Sequence, residues 1–142
     1  MKNQLNATVW PALIATLLLS DAVAPDPPVV DAAMRGDVDA VRALLREGAD
    51  VNAAQGDGMT ALHWSAENDD LEIADVLLVA GANVDAVTRL GSYTALHIAS
   101  KAGSARVVGR LLEAGADPEA LTATGGVAAL HYAAASGRVE AV

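Results

Sequence analysis

Thr60-Ala61-Leu62-His63 returns as Thr94-Ala95-Leu96-His97 and, with one change, as Ala128-Ala129-Leu130-His131, each 34 residues after the last. A second marker, Gly-Ala followed by an acid or amide, falls at Gly48-Ala49-Asp50, Gly81-Ala82-Asn83 and Gly115-Ala116-Asp117. A Leu-Leu pair precedes each, at Leu44-Leu45, Leu77-Leu78 and Leu111-Leu112, with the first Leu always four residues before the Gly. Two independent markers in constant phase define a repeat, and a period in this range is the signature of a solenoid.

Each unit parses into two short helices. The first begins near Thr60, Thr94 or Ala128, where a Thr hydroxyl is expected to accept from a free amide of the first turn. Leu62, Leu96 and Leu130 open its apolar side. Gly36, Gly103 and Gly137 end it where a left-handed residue is wanted, and repeat two has Asn68-Asp69-Asp70 in that place. The second helix carries Leu71, Ile73, Ala74, Leu77 and Leu78, spaced at three and four residues as a one-sided stripe requires. Neither helix is long enough to be stable alone, so the units must bury their stripes against neighbours.

Composition agrees with thin, closely packed layers. Hydrophobic residues make up 53% of the 142, yet aromatics only 3%, with no Phe. The net charge of −9 argues against a nucleic-acid partner, which needs a basic face, and against docking on anionic membranes. There is no Cys, which excludes disulfides, thiolate chemistry and Cys-ligated zinc.

Residues 1–24 differ from all that follows. Lys2 and the amino terminus supply a short positive region, Val9 to Leu19 is apolar apart from Pro11 and Thr16, and small residues follow at Ser20, Ala22 and Ala24. This is the layout of a secretory signal peptide, and the run is too short for an ordinary membrane span. Cleavage is expected after Ala22 or Ala24, with Ala22 preferred because Pro25 would follow the later cut. The mature protein is then periplasmic or secreted. The alternative is an uncleaved helix that tethers it to a membrane.

The repeats resemble the ankyrin family, whose helix start is T-P-L-H-x-A. Gly48-Ala49-Asp50-Val51-Asn52-Ala53 matches the family's loop, and Gly58-Met59-Thr60-Ala61-Leu62-His63 its helix start, with Ala61 where Pro is usual. The resemblance implies an all-α solenoid of stacked helix-turn-helix units with projecting β-turn fingers. It divides the chain into an amino-terminal capping repeat (25–53), repeat two (54–86), repeat three (87–120) and a partial repeat four (121–142). It also implies a non-catalytic module, expected to be a monomer, that binds another protein through finger tips and first helices, and it assigns the motif His a structural bond to the connecting loops.

Four departures from the family pattern carry expectations. Gly91-Ser92-Tyr93-Thr94 and Gly125-Gly126-Val127-Ala128 hold one residue more than Gly58-Met59-Thr60, so the later fingers are longer at the base. Pro27-Pro28 stands where the opening helix should start, with Asp26 as its expected cap. Gln55, Thr88 and Thr122 replace the acid usual at the start of each finger, which is expected to weaken the turn. Val142 aligns with Val108, Ala74 and Val41, so the last helix lacks its Leu-Leu pair and closing Gly. That suits a frayed end or a segment of a longer chain, and in the second case the stack is an adaptor or spacer for a further domain, enzymatic or not.

Catalytic and metal readings find little support. His63, His97 and His131 recur one per layer, and adjacent layers about 8–10 Å apart are too far to share a zinc at bond lengths of about 2 Å. No Ser lies in a Gly-x-Ser-x-Gly elbow, and Gly125-Gly126 is too short for a phosphate loop. No enzyme, metal or cofactor is expected. The candidate contacts are finger and helix-end residues: Gly56, Asp57, Met59, Glu67 and Asn68 in repeat two, and Arg89, Leu90, Ser92, Tyr93, Lys101 and Ala102 in repeat three. Trp64 is a contact or a packing residue. Tyr93 is expected to be an aromatic anchor on the surface, dispensable for stability.

Overall fold

The computed structural model describes residues 25–137. The expected signal peptide and the start of the last repeat's second helix lie outside those residues. Among the described residues seven α-helices follow in order: α1 (Pro28–Met34), α2 (Val38–Arg46), α3 (Ala61–Glu67), α4 (Leu71–Val79), α5 (Ala95–Ala102), α6 (Ala105–Glu113) and α7 (Ala129–Ser136). The chain is an all-α solenoid. First helices α1, α3, α5 and α7 pack in sequence as one layer, and second helices α2, α4 and α6 as the other. No helix among the described residues is long and apolar enough to cross a membrane.

The constant phase of the two markers has a direct cause. Each second helix ends in the same motif, in which the Gly amide reaches the second Leu carbonyl and the following Ala amide reaches the first. The bonds are Gly48 to Leu45 (3.1 Å) and Ala49 to Leu44 (3.0 Å), then Gly81 to Leu78 (3.1 Å) and Ala82 to Leu77 (3.0 Å), then Gly115 to Leu112 and Ala116 to Leu111 (both 3.0 Å). These bonds satisfy carbonyls that the helix end would leave free. They need a left-handed residue at the first position, and the three glycines have φ of 90°, 89° and 92°.

First helices close the same way. Gly36, Gly103 and Gly137 are left-handed, and so is Asp69, with φ of 55°. The Asp70 amide then returns to the Ser65 carbonyl at 2.9 Å, as Ser104 does to Ala99. Asp37 and Asp70 next cap the second helices, accepting from the Ala40 and Ile73 amides at 3.0 Å each. Asp26 does not cap α1. The cap residue there is Pro27, without a capping side chain, because Pro28 supplies a fixed φ and has no amide to satisfy.

The core is a continuous file of small side chains, with Ala32, Ser65, Ala99 and Ala133 recurring at one register and fully buried. Small side chains at that position let first helices approach closely, while Ile73, Leu77, Val107 and Leu111 fill the space behind. Leu130 departs from its counterparts: Leu62 and Leu96 are 2% exposed and Leu130 is 56% exposed. Leu62 lies under α5 and Leu96 under α7, whereas no described element covers Leu130. Ion pairs Arg42–Glu72 (2.7 Å) and Arg110–Asp75 (2.5 Å) join successive second helices at the surface.

Asp69 occupies a conformation that costs a side-chain-bearing residue about 1–2 kcal/mol, somewhat less for Asp. Asp69→Gly should therefore raise stability by about 0.5–1 kcal/mol, a gain of a few degrees in Tm. A lower Tm would show that the Asp69 carboxylate contributes more than its backbone costs.

Candidate functional site

The site grows out of the Thr-Ala-Leu-His motif. Thr60 precedes α3, and its amide donates to His63 Nδ1 at 3.1 Å while its hydroxyl lies 2.8 Å from the same nitrogen. Nδ1 must then be unprotonated, which leaves the proton on Nε2. Nε2 donates to the Tyr93 carbonyl of the next finger at 3.1 Å. In the next layer the Thr94 amide donates to His97 Nδ1 at 3.2 Å, and His97 Nε2 reaches the Ala120 and Val127 carbonyls at 3.0 and 3.1 Å. The Thr94 hydroxyl likewise lies 2.8 Å from His97 Nδ1, and it also accepts the His97 amide at 3.3 Å, as a helix cap should. Both His are 1% exposed. His131 keeps its bond from the Ala128 amide (3.3 Å) but is exposed, with no described finger beyond it to receive Nε2. No group of His, Asp and Glu among the described residues is arranged to hold a metal ion.

The fingers are closed by backbone bonds from Gln55 to Met59 (2.9 Å), Thr88 to Tyr93 (3.0 Å) and Thr122 to Val127 (3.1 Å). The later two span one residue more, and a second left-handed residue takes up the excess. Gly58, Gly91 and Gly125 share φ of 85–91°, and behind them Ser92 and Gly126 have φ of 53° and 60°. The expected weakening of these turns does not occur. The Thr88 hydroxyl donates to the Leu90 carbonyl (2.9 Å) and accepts the Tyr93 amide (3.1 Å), and Thr122 repeats both bonds with Thr124 and Val127. A buried hydroxyl that donates and accepts satisfies two backbone groups, whereas an ionised carboxylate only accepts. In the short finger Asp57 takes the Met59 amide instead, at 2.9 Å.

Neighbouring fingers are tied edge to edge. The Arg89 amide donates to the Asp57 carbonyl (2.8 Å) and the Ala123 amide to Gly91 (2.9 Å). A Cβ at Gly58 would lie 2.8 Å from the Arg89 nitrogen, so this finger has room for Gly alone.

Between the second and third fingers and the ends of α3 and α5 lies an open cavity of about 280 Å³. It is lined by Asp57, Met59, Glu67, Thr88, Leu90, Tyr93, Ile98 and Lys101. Six of the twelve candidate contacts thus meet at one place: Asp57, Met59, Glu67, Leu90, Tyr93 and Lys101. Two lining residues are not among those candidates: Thr88, which serves the turn, and Ile98. It follows the motif His and reads there as ordinary core, being 9% exposed. Three of the remaining candidates point elsewhere. Trp64 is half-buried and donates from Nε1 to Gln55 Oε1 at 2.8 Å; Asn68 donates to the Met34 carbonyl at 3.2 Å; Arg89 is exposed outside the cavity lining.

Tyr93 is not a free surface anchor. Its ring packs over Gly91, meets the His97 ring edge-on with centroids 6.2 Å apart, and lies 5.9 Å from the Tyr132 ring. The Tyr132 hydroxyl donates to the Tyr93 hydroxyl at 3.2 Å, a bond that raises the Tyr132 pKa above its ordinary 10.0. Tyr93 therefore holds the third finger against the fourth repeat, and truncating it affects folding as well as the cavity wall. Leu90, at 81% exposure, is the most exposed apolar group of the cavity lining.

Burial pushes the His63 pKa below 6.5, and the hydrogen bond to Tyr93 and nearby Asp57 offset this only in part. The unfolded chain then binds more protons at this residue than the folded one, so its contribution to stability falls as pH drops below about 6.5. Protonation at Nδ1 would also sever the bond from the Thr60 amide. Melting curves between pH 7.5 and 5.5 should show this loss. In His63→Gln the dependence should be shallower on a less stable background, and an unchanged slope would remove His63 as its source.

A family model described as Ankyrin repeats (3 copies) matches residues 12–88, 29–122 and 78–142. The Ankyrin repeat and LEM domain-containing protein 1 homolog of Caenorhabditis elegans is 44% identical over 54 residues, 38% of this chain and 8% of that protein. Palmitoyltransferase akr1 of Schizosaccharomyces pombe is 46% identical over 57 residues (39% and 9%). Palmitoyltransferase Hip14 of Drosophila melanogaster is 39% identical over 79 residues (54% and 12%). The aligned segment thus spans between 8% and 12% of the length of these curated relatives. With the family model covering most of the sequence and the described helices stacking as repeated hairpins, the chain belongs to the ankyrin-repeat family.

Proposed function

We propose that this chain is a non-catalytic module that binds another protein through the face formed by its finger tips and first helices. The observation that carries this reading is the convergence of Met59, Leu90, Tyr93 and Ile98 in one open cavity rimmed by charge. An apolar patch with a polar border is the composition of a protein-docking surface. At about 280 Å³ and wide open, the cavity is small for a cofactor, since such ligands need about 300–1,000 Å³ with most of their surface enclosed. The transferase activities named for two relatives are not carried over by so short a match. The working unit is taken to be a monomer, with a capping repeat at 25–53, full repeats at 54–86 and 87–120, and a partial one at 121–142.

Leu90→Glu tests the docking reading, because Leu90 is exposed enough for the change to leave Tm within about 1 °C. Affinity capture from the native source should recover a protein partner with the wild-type chain. The variant should bind it about tenfold less tightly, the scale of an interface anchor. Equal capture by both chains overturns the site.

The same proposal places the protein outside the cytoplasm, on the strength of the charged, apolar and small-residue order of positions 1–24. Amino-terminal sequencing of the protein from fractionated cells should then begin at Val23 or Pro25. An intact Met1 on soluble cytosolic protein overturns export without touching the docking site.

A further inference from the structure

The charges around the cavity are unequal, and they distinguish one class of occupant from another. Glu67 and Lys101 stand at the same register position, 34 residues apart, at the ends of α3 and α5. Asp57 sits on the finger above Glu67, so the repeat-two wall carries two carboxylates and the repeat-three wall one ammonium. Among the described residues the ion pairs are Arg35–Asp31, Arg42–Asp39, Arg42–Glu72 and Arg110–Asp75. Asp57, Glu67 and Lys101 belong to none of them. Asp57 spends one oxygen on the Met59 amide and keeps the rest of its acceptor capacity. Glu67 is placed against local preference, because it is the last residue of α3, where the helix end is already negative. A carboxylate there, exposed and unpaired, gives the helix nothing.

Resting on the docking function above, we propose that the cavity takes a peptide segment of the partner in which a large apolar side chain stands beside Lys or Arg. The apolar group enters between Met59, Leu90, Tyr93 and Ile98. A cavity of about 280 Å³ suits one such side chain, given that about 150 Å³ suffices for benzene. The cation meets Asp57 and Glu67 on the repeat-two wall. The net charge of −9 adds a long-range field of the same sign and draws basic segments toward the chain. Lys101 is the one lining group that opposes this partner. It admits a single cation and sets its side, because a segment basic on both flanks would place charge against charge.

Charge reversals of opposite sign separate this proposal from its rivals. A random-peptide display library panned on the full chain should enrich segments with Leu, Met or Phe next to Lys or Arg, and their binding should be lost in Leu90→Glu. For a synthetic peptide of that pattern, Glu67→Lys should weaken binding by about threefold or more, and Lys101→Glu should strengthen it by a similar factor. Both effects should shrink as salt is raised, since the charges are exposed. Enrichment of acidic peptides, or reversals that act in the other sense, overturns the charge assignment and leaves the docking surface standing. If no enriched peptide depends on Leu90, a peptide occupant is overturned, and capture of a folded partner by the same face decides the docking function separately.

Discussion

The buried imidazole that joins one repeat to the next is the contact on which the rest of the stack depends. His63 receives the Thr60 amide on one nitrogen and gives its proton to the Tyr93 carbonyl with the other. A single neutral ring thus caps its own helix and fixes the following finger. The ring is buried, so losing either bond is costly, and it has one acceptable tautomer. The same device at His97 reaches the Ala120 carbonyl, at the end of the third repeat, and the Val127 carbonyl in the fourth repeat's finger. Helices of seven to nine residues have no independent stability, and these bonds align them as their apolar sides come together.

Once the fingers are fixed by the histidines, their own hydrogen bonds decide the surface they present. Thr88 and Thr122 serve the enlarged turns from inside, and the extra residue is absorbed by a second left-handed position. The third finger therefore presents Leu90 at its tip while folding Tyr93 back onto His97 and Tyr132. A longer turn changes which side chain faces outward. It also couples the cavity wall to the adjoining layer, because Tyr93 lines the cavity with one part of its ring and supports the fourth repeat with another.

The binding face and the fold thus draw on different parts of the same repeat. Motif residues are consumed by the stack: Thr, Leu and His at successive first helices are buried in the second and third repeats. Residues at the variable positions, including Asp57, Glu67 and Lys101, make no side-chain ion pairs and are free to meet another molecule. The second-helix layer behaves differently, since its charges pair across repeats through Arg42 and Arg110.

Spacing alone determined that the chain is an array of helical hairpins, because a phase-locked Leu-Leu and Gly-Ala can arise only from a repeated helix end whose hydrogen bonds need those positions. The helix starts at Thr60 and Thr94 and the left-handed place of Asp69 were legible for the same reason: they follow from local backbone chemistry. Local chemistry did not reach the cavity. Glu67 and Lys101 are 34 residues apart and become neighbours only when α3 packs on α5, and Ile98 reads as core until the neighbouring finger leaves part of it open. Tyr93 looked like a surface group because the sequence does not reveal that Gly91 leaves space for its ring to fold inward. Leu130 carries the motif of Leu62 and Leu96, yet burial is a property of what lies over a residue, and that is decided by the tertiary structure.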